Sequence, residues 1–213
     1  MLEIEKTRDL MGNVFGMEFN QALVLDQLIK SNNLTNLLEL GFAHGVSSCY
    51  FASILKDMGV GHLTTIDLEI AKSRNPNIEQ LLNKLGLTDF VDYYYENTSY
   101  TWRLMKFIEE NDEPIFDFCY IDGAHDWYVD GFAFFLVDKL LKPGGYIIFD
   151  DMNWTFASSP SLKNTPYVQK MSDDEKNTAQ IGKVFDLLVK THPNYHNFDI
   201  LNDNSWGIAQ KKL

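Results

Sequence analysis

Short apolar runs alternate along this chain with longer segments in which apolar residues recur at helical spacing. In NQALVLDQLIK, Leu23, Leu25, Leu28 and Ile29 fall roughly along one stripe, which predicts a helix over residues 20–31. NLLEL, at 36–40, reads as a short apolar strand. From Gly45, GVSSCYFASILKDMG returns to helical spacing and stops near Gly59. HLTTIDL, at 62–68, is a second strand rich in β-branched residues. A helix over 76–85, a strand over 89–95 (DFVDYYY), a helix over 99–110 and a strand over 115–122 (IFDFCYID) follow. The segment from Trp127 to Leu141 is helical and apolar on much of its surface; KPGG is the turn after it, and YIIFDD, at 146–151, is the fifth strand.

Short apolar strands alternating with helices of about a dozen residues specify an α/β fold, with a mostly parallel sheet, helices on both faces and right-handed crossovers. The rhythm breaks after Asp151. Residues 152–175 are polar, contain two prolines and exceed an ordinary connection, which marks them as a lid loop. A helix at 176–190 follows, and YHNFDIL and SWGIAQKK, separated by NDN, form an antiparallel hairpin at the end of the sheet. No repeat, linker or second domain interrupts residues 1–213, which are expected to form a single domain with residues 1–20 as an N-terminal cap segment.

Composition narrows the partners. A chain of 213 residues with 45% apolar content can bury a sizeable core. Its formal charge of -12 repels nucleic acid phosphates and anionic membranes, and no basic run exceeds the KK near the C-terminus. Cys49 and Cys119 each lie in an apolar segment, as buried thiols in a reducing compartment do. No apolar run approaches the roughly 20 residues needed to span a bilayer, and no apolar stretch follows a basic start. A cytoplasmic protein is expected.

The junction LLELGFAHGVSS, residues 37–48, ends a strand and opens a helix. Gly41 and Gly45 let backbone approach a ligand, and the helix N-terminus beyond them favours an anionic group. The spacing is not the G-x-G-x-x-G of dinucleotide sites, since Ala43 and Val46 stand between and after the glycines. Glu39 is an acid between two leucines, costly to bury unless paired, and an ammonium group on the ligand would satisfy it. Asp67, ending the second strand, is placed to accept from ribose hydroxyls or to cap a turn.

The order Glu39, Gly41, Gly45, Ser47, Asp67, then FDFCYIDGAHDWYVDG and LLKPGGYIIFDD, closely resembles class I S-adenosylmethionine-dependent methyltransferases, over about residues 35–152. More narrowly, it resembles the branch of small-molecule and sugar O-methyltransferases related to the macrolide and catechol enzymes. The resemblance implies a Rossmann-like methyltransferase fold, a seven-stranded sheet whose last strand runs antiparallel. It also implies that Glu39, Gly41 and Gly45 line the methionine part of the cofactor, that Ser47 contacts its carboxylate, that Asp67 holds the ribose, and that Asn97, Thr98 and Ser99 border the adenine. His44 departs from the small residues common in such loops and is expected at the pocket edge or in solvent.

Asp122, Asp150 and Asp151 fall at the ends of two neighbouring strands. Two carboxylates ~4 Å apart repel by about 4 kcal/mol at an effective dielectric of 20, so the three need a proton or a cation. A hard divalent ion, Mg2+ by preference, would supply it; in the resembled branch acids at these positions hold such an ion. His125, three residues past Asp122, is the nearby group whose ordinary pKa suits proton abstraction, or a residue that orients Asp122. Asp130 is expected to be a surface acid and Asp117, at the remote strand end, to be structural; His62, His192 and His196 are assigned no chemistry. Trp154, Phe156 and Tyr167 of the 152–175 segment, and the N-terminal segment through Phe19, would either wall an acceptor site or belong to the core.

The reading that joins these features is an enzyme moving a methyl group from S-adenosylmethionine to a hydroxyl of a small molecule, a sugar or diol, with a divalent metal's assistance. A metal-independent methyltransferase and a noncatalytic binding module of the same fold are the alternatives, and hydride transfer is disfavoured by the glycine spacing. A symmetric homodimer fits the sequence, which carries no motif for it.

Overall fold

Each strand of the sheet centre sends alternate side chains to two different cores, which is why the strands read as mostly apolar runs. In β1 (Asn36–Leu40), Leu37 joins one core while Leu38 and Leu40 join the other; in β4 (Phe116–Ile121), Phe118 and Tyr120 face the first, Cys119 and Ile121 the second. The computed structural model describes residues 2–203 and 205–213.

The other strands are β2 (His62–Leu68), β3 (Val91–Glu96), β5 (Leu141–Phe149), β6 (Tyr195–Leu201) and β7 (Trp206–Lys211). They form one seven-stranded sheet in the order β3-β2-β1-β4-β5-β7-β6. Pairings through β5 are parallel; β7 runs antiparallel to both β5 and β6. The sheet is the expected one, with the final hairpin inserting its second strand beside β5.

Helices α1 (Glu3–Met11), α2 (Phe19–Ser31), α3 (Val46–Met58) and α4 (Ile78–Leu85) cover one face. On the other lie α5 (Tyr100–Glu110), α6 (Trp127–Leu140) and, beyond the short helices α7 (Pro166–Gln169) and α8 (Asp173–Asn177), α9 (Gln180–Val184), which runs on as a π turn over Phe185–Val189. Helix α3 begins at Gly45 and ends at Gly59, both left-handed, and Gly59 returns its N–H to the Lys56 carbonyl.

Four elements differ from expectation. Helix α1 forms inside the N-terminal segment because Ile4, Thr7 and Met11 share one buried side, and Thr7 and Ser53 hydroxyls meet at 2.6 Å. Strand β5 starts at Leu141, ahead of the expected Tyr146, but KPGG still turns out of the ladder: Gly144 is left-handed at φ +82°, and the register is broken between Phe116 and Phe118. Residues 152–175 hold a 3-10 turn over Phe156–Ser158, α7 and the start of α8 in place of open loop. The helix expected at 176–190 is divided at Thr178–Ala179. No helix among the described residues is long and apolar enough to cross a membrane.

Asp117 has the structural role anticipated for it. Its Oδ1 accepts from the Thr35 and Asn36 amides at 3.0 and 2.9 Å, tying the start of β1 to β4. Replacing Asp117 by Ala should cost about 1–3 kcal/mol by leaving these amides unpaired. Urea unfolding measures it, and ligand affinity at the opposite strand ends should not change.

Candidate functional site

The sheet's hydrogen-bond ladder continues one residue past its central strands. The Gly41 N–H donates to Ile66 O at 2.8 Å, Asp122 N–H to Leu40 O at 2.9 Å, and Asp150 N–H to Ile121 O at 3.0 Å. These bonds set Gly41, Asp122 and Asp150 side by side on the carboxyl edge, where open α/β folds bind ligands. A cleft of about 690 Å³ opens there.

One end of the cleft is built by the β1–α3 junction. Gly41 lines it at φ +91°, and a Cβ at this position would run into the Asp122 carbonyl. Ser47, in the first turn of α3, also lines it. Asp67 reaches across from β2: Oδ2 accepts from Phe42 N–H at 2.9 Å and Ala43 N–H at 2.7 Å, and Oδ1 from Leu68 N–H at 2.6 Å. Thr98 and Ser99 face the cleft, and Ser99 also caps α5 by accepting from Thr101 N–H at 3.1 Å.

Three of the expected residues stand elsewhere. Glu39 lies beneath the floor, fully buried, accepting from Ser48 and from Thr65 Oγ1 at 2.6 Å. Burial pushes its carboxyl up to about 7 against these hydrogen bonds. Gly45 is turned to α4, where a Cβ would stand 2.7 Å from Ile78. Asn97 is exposed and outside the cleft lining. His44 is partly buried, with Nδ1 2.7 Å from Pro76 O, so it joins the glycine loop to the segment before α4.

The other end is acidic. Ligand atoms of Asp122, His125 and Asp151 lie within 4.8 Å of one another. Burial, then the charges of Asp150 and Asp151, pushes the Asp122 carboxyl well above the usual range. Burial and the charge of Asp150 push Asp151 up to about 6. Asp150 is engaged by Tyr120, by Ser205 Oγ at 2.9 Å and by Asp151 N–H at 2.6 Å. His125 Nδ1 is 3.4 Å from Asp151 Oδ2, and its ring packs 4.9 Å from that of Trp154. Burial lowers the His125 pKa against the charge of Asp150, which raises it. Both His125 (φ +58°) and Asp151 (φ +60°) hold left-handed backbone, a conformation that persists where surroundings enforce it.

The wall over these acids is aromatic. Tyr128 and Tyr167 hydroxyls meet at 2.8 Å, and Tyr167 donates to Asp126 Oδ2 at 3.1 Å. Trp154 lines the cleft while Phe156 is core. The N-terminal wall comes from Phe15, Gly16 and Met17, just before Phe19. Asp130, expected at the surface, is 1% exposed, because its position on α6 faces α5. Tyr100, Tyr120 and Asp126 escape sequence reasoning; Tyr120, two residues before Asp122 and so on the same sheet face, carried the one periodic signal.

Two predictions come from this geometry. Gly41→Ala should destabilise by about 2–4 kcal/mol, since both the left-handed φ and the Asp122 carbonyl oppose a side chain; denaturant unfolding measures it. Glu39 and Asp130, raised to about 7, and Asp151, raised to about 6, bind protons in the folded chain that the unfolded chain releases near pH 4. Their stabilisation is full below that pH and is lost as pH rises toward 7, so the melting temperature in chelator should fall between pH 5 and pH 8.

Residues 38–152 match the model of the family described as a methyltransferase domain. A tapetum-specific methyltransferase of Arabidopsis thaliana is 28% identical over 154 residues, covering 70% of this chain; the match spans 61% of that protein's length. Among solved structures, a Staphylococcus aureus protein provisionally assigned as a caffeoyl-CoA O-methyltransferase is 27% identical, with a TM-score of 0.66 over 98% of this chain and 91% of its own. TomG of Streptomyces achromogenes, an O-methyltransferase solved with S-adenosylmethionine, is 17% identical, with a TM-score of 0.67 over 99% and 90%. A Bacillus cereus O-methyltransferase solved with S-adenosylhomocysteine is 19% identical, with a TM-score of 0.66 over 99% and 90%. The sheet order, the glycine junction and the family match over more than half its length agree: this chain belongs to the methyltransferase domain family.

Proposed function

We propose that the protein transfers a methyl group from S-adenosylmethionine to a hydroxyl of a small molecule, with a divalent cation at its acidic end. The observation that carries this reading is the juxtaposition, in one cleft, of a glycine-lined helix N-terminus and a crowded acid pair beside the His125 imidazole. Relatives solved with S-adenosylmethionine or its demethylated product support the same cofactor here.

The amides in the first turn of α3, with Ser47, suit the cofactor's carboxylate. Glu39, one layer below, would face the cofactor's ammonium group, and Gly41 would allow the close approach. Three amides already occupy Asp67, which has about four lone-pair positions, so it has room for one ribose hydroxyl without rearrangement. Thr98 and Ser99 would border the adenine.

The acid end fits a cation because the charge of Asp122, Asp150 and Asp151 is partly buried and mutually repulsive. Asp122 and Asp151 would hold it directly. Asp150, fixed by Tyr120 and Ser205, would complete the negative field or add a ligand oxygen. Mg2+ or a similar ion held there would supply Lewis acidity that makes the acceptor hydroxyl easier to deprotonate. His125, beside Asp151 and with its pKa lowered by burial, would take the acceptor's proton. Trp154, Tyr128 and Tyr167 would hold the acceptor and exclude water.

A cytoplasmic location is supported by two buried free thiols, Cys49 and Cys119. Pairing of two copies is supported by the exposed rings of Tyr128, Phe132 and Phe135 on α6, and gel filtration tests it.

Calorimetry of the chelator-treated protein should show S-adenosylmethionine binding and a separate Mg2+ or Mn2+ event that Asp122→Asn abolishes. His125→Asn should retain cation binding while kcat falls about 100-fold or more and the acid limb of the pH profile disappears. Absence of cofactor binding in the wild type would sink the methyltransferase reading; turnover unchanged by chelation would favour the metal-independent form.

A further inference from the structure

The most deeply enclosed acid that this chemistry does not use is Asp130, on the first turn of α6. Tyr100, opening α5, is 5% exposed and directed at it. The Tyr100 hydroxyl donates to Asp130 Oδ1 and accepts from the Ala124 N–H at 3.2 Å. The Tyr100 ring lies against Gly123 so closely that a Cβ there would collide with it. The amides of His125 and Ala124 favour the charged form of Asp130, opposing its burial. The passage from Asp122 to His125 is thus held by a phenol from one helix, which a carboxylate on the next helix holds in turn.

That grip answers a local need. A left-handed backbone at a non-glycine residue such as His125 costs about 1–2 kcal/mol and holds only where neighbours over-determine it. Packing alone does not account for the acid: Asp130 Oδ2 has no strict hydrogen-bond partner among the described residues, and an apolar side chain would fill the space without that cost.

We propose that Tyr100 and Asp130 are positioning residues that lock the Asp122–His125 loop, with its one left-handed residue His125, and thereby aim the Asp122 carboxylate and His125 imidazole into the cleft. The significance of the aim rests on the proposed function; the lock itself does not.

The test uses the whole protein carrying Tyr100→Phe, Asp130→Asn or Asp130→Ala. Amide hydrogen exchange at Ala124 and His125, calorimetric titration with Mn2+, and the pH titration of the His125 ring by NMR are compared with wild type well below each melting temperature. Tyr100→Phe should keep a cooperative melt, speed exchange at Ala124 and His125 at least tenfold while β1 amides stay unchanged, weaken Mn2+ at least fivefold and shift the His125 titration. Asp130→Asn, which still accepts from Tyr100, should fall between wild type and Asp130→Ala. A lowered melting temperature with unchanged loop exchange and Mn2+ affinity in Tyr100→Phe overturns the assignment. A wild type that binds neither Mn2+ nor S-adenosylmethionine would defeat the methyltransferase reading, and the exchange data would still decide the lock.

Discussion

Like charges that the fold cannot separate govern this molecule. Parallel pairing of β4 with β5 carries the register Ile121 to Phe149 one step further and brings Asp122 beside Asp150, with Asp151 next in the chain. Two carboxylates ~4 Å apart oppose each other by about 4 kcal/mol at an effective dielectric of 20, and partial burial deepens the opposition. The chain answers with donors for Asp150 and with raised proton affinity at Asp122 and Asp151. A divalent cation relieves the same stress without a proton, which links the fold's least comfortable feature to the chemistry proposed for it.

The bracing around these acids follows from that stress. Tyr120 rises from β4 to Asp150, Ser205 reaches it from the turn before β7, and the Asp151 amide closes the third side. Asp126 caps α6 by accepting from Val129 N–H at 2.7 Å and receives Tyr167, which joins the 152–175 segment to the same loop. The acid end is therefore held by groups from several elements, so its geometry does not depend on a single loop's preference.

The glycine end is arranged on a different principle. Asp67 spends its oxygens on the Phe42, Ala43 and Leu68 amides, and Glu39 spends one on Ser48 and Thr65. Backbone amides and hydroxyls there hold a cradle of fixed dipoles, whereas the other end stores net charge. The two ends lie on one cleft because β1 and β4 are neighbours in the sheet although many residues separate them in the chain.

Periodicity by itself determined the α/β class, the five-strand rhythm and the closing hairpin, since burial on both faces writes apolar runs directly into a strand. The placing of Gly41, Asp67 and the acids Asp122, Asp150 and Asp151 at the cleft was legible because strand ends in such folds face the ligand crevice, whereas Ser47 was marked only by the family resemblance. The many charges of helix α1 mask its pattern, and an acid in a helix, such as Asp130, carries no mark of which side the neighbouring helix will cover. That Gly45 packs on Ile78, that Glu39 lies below the cleft and that Tyr100 reaches Asp130 across two helices were decided by tertiary structure alone. Each depends on distances between residues far apart in the chain, which local spacing does not encode.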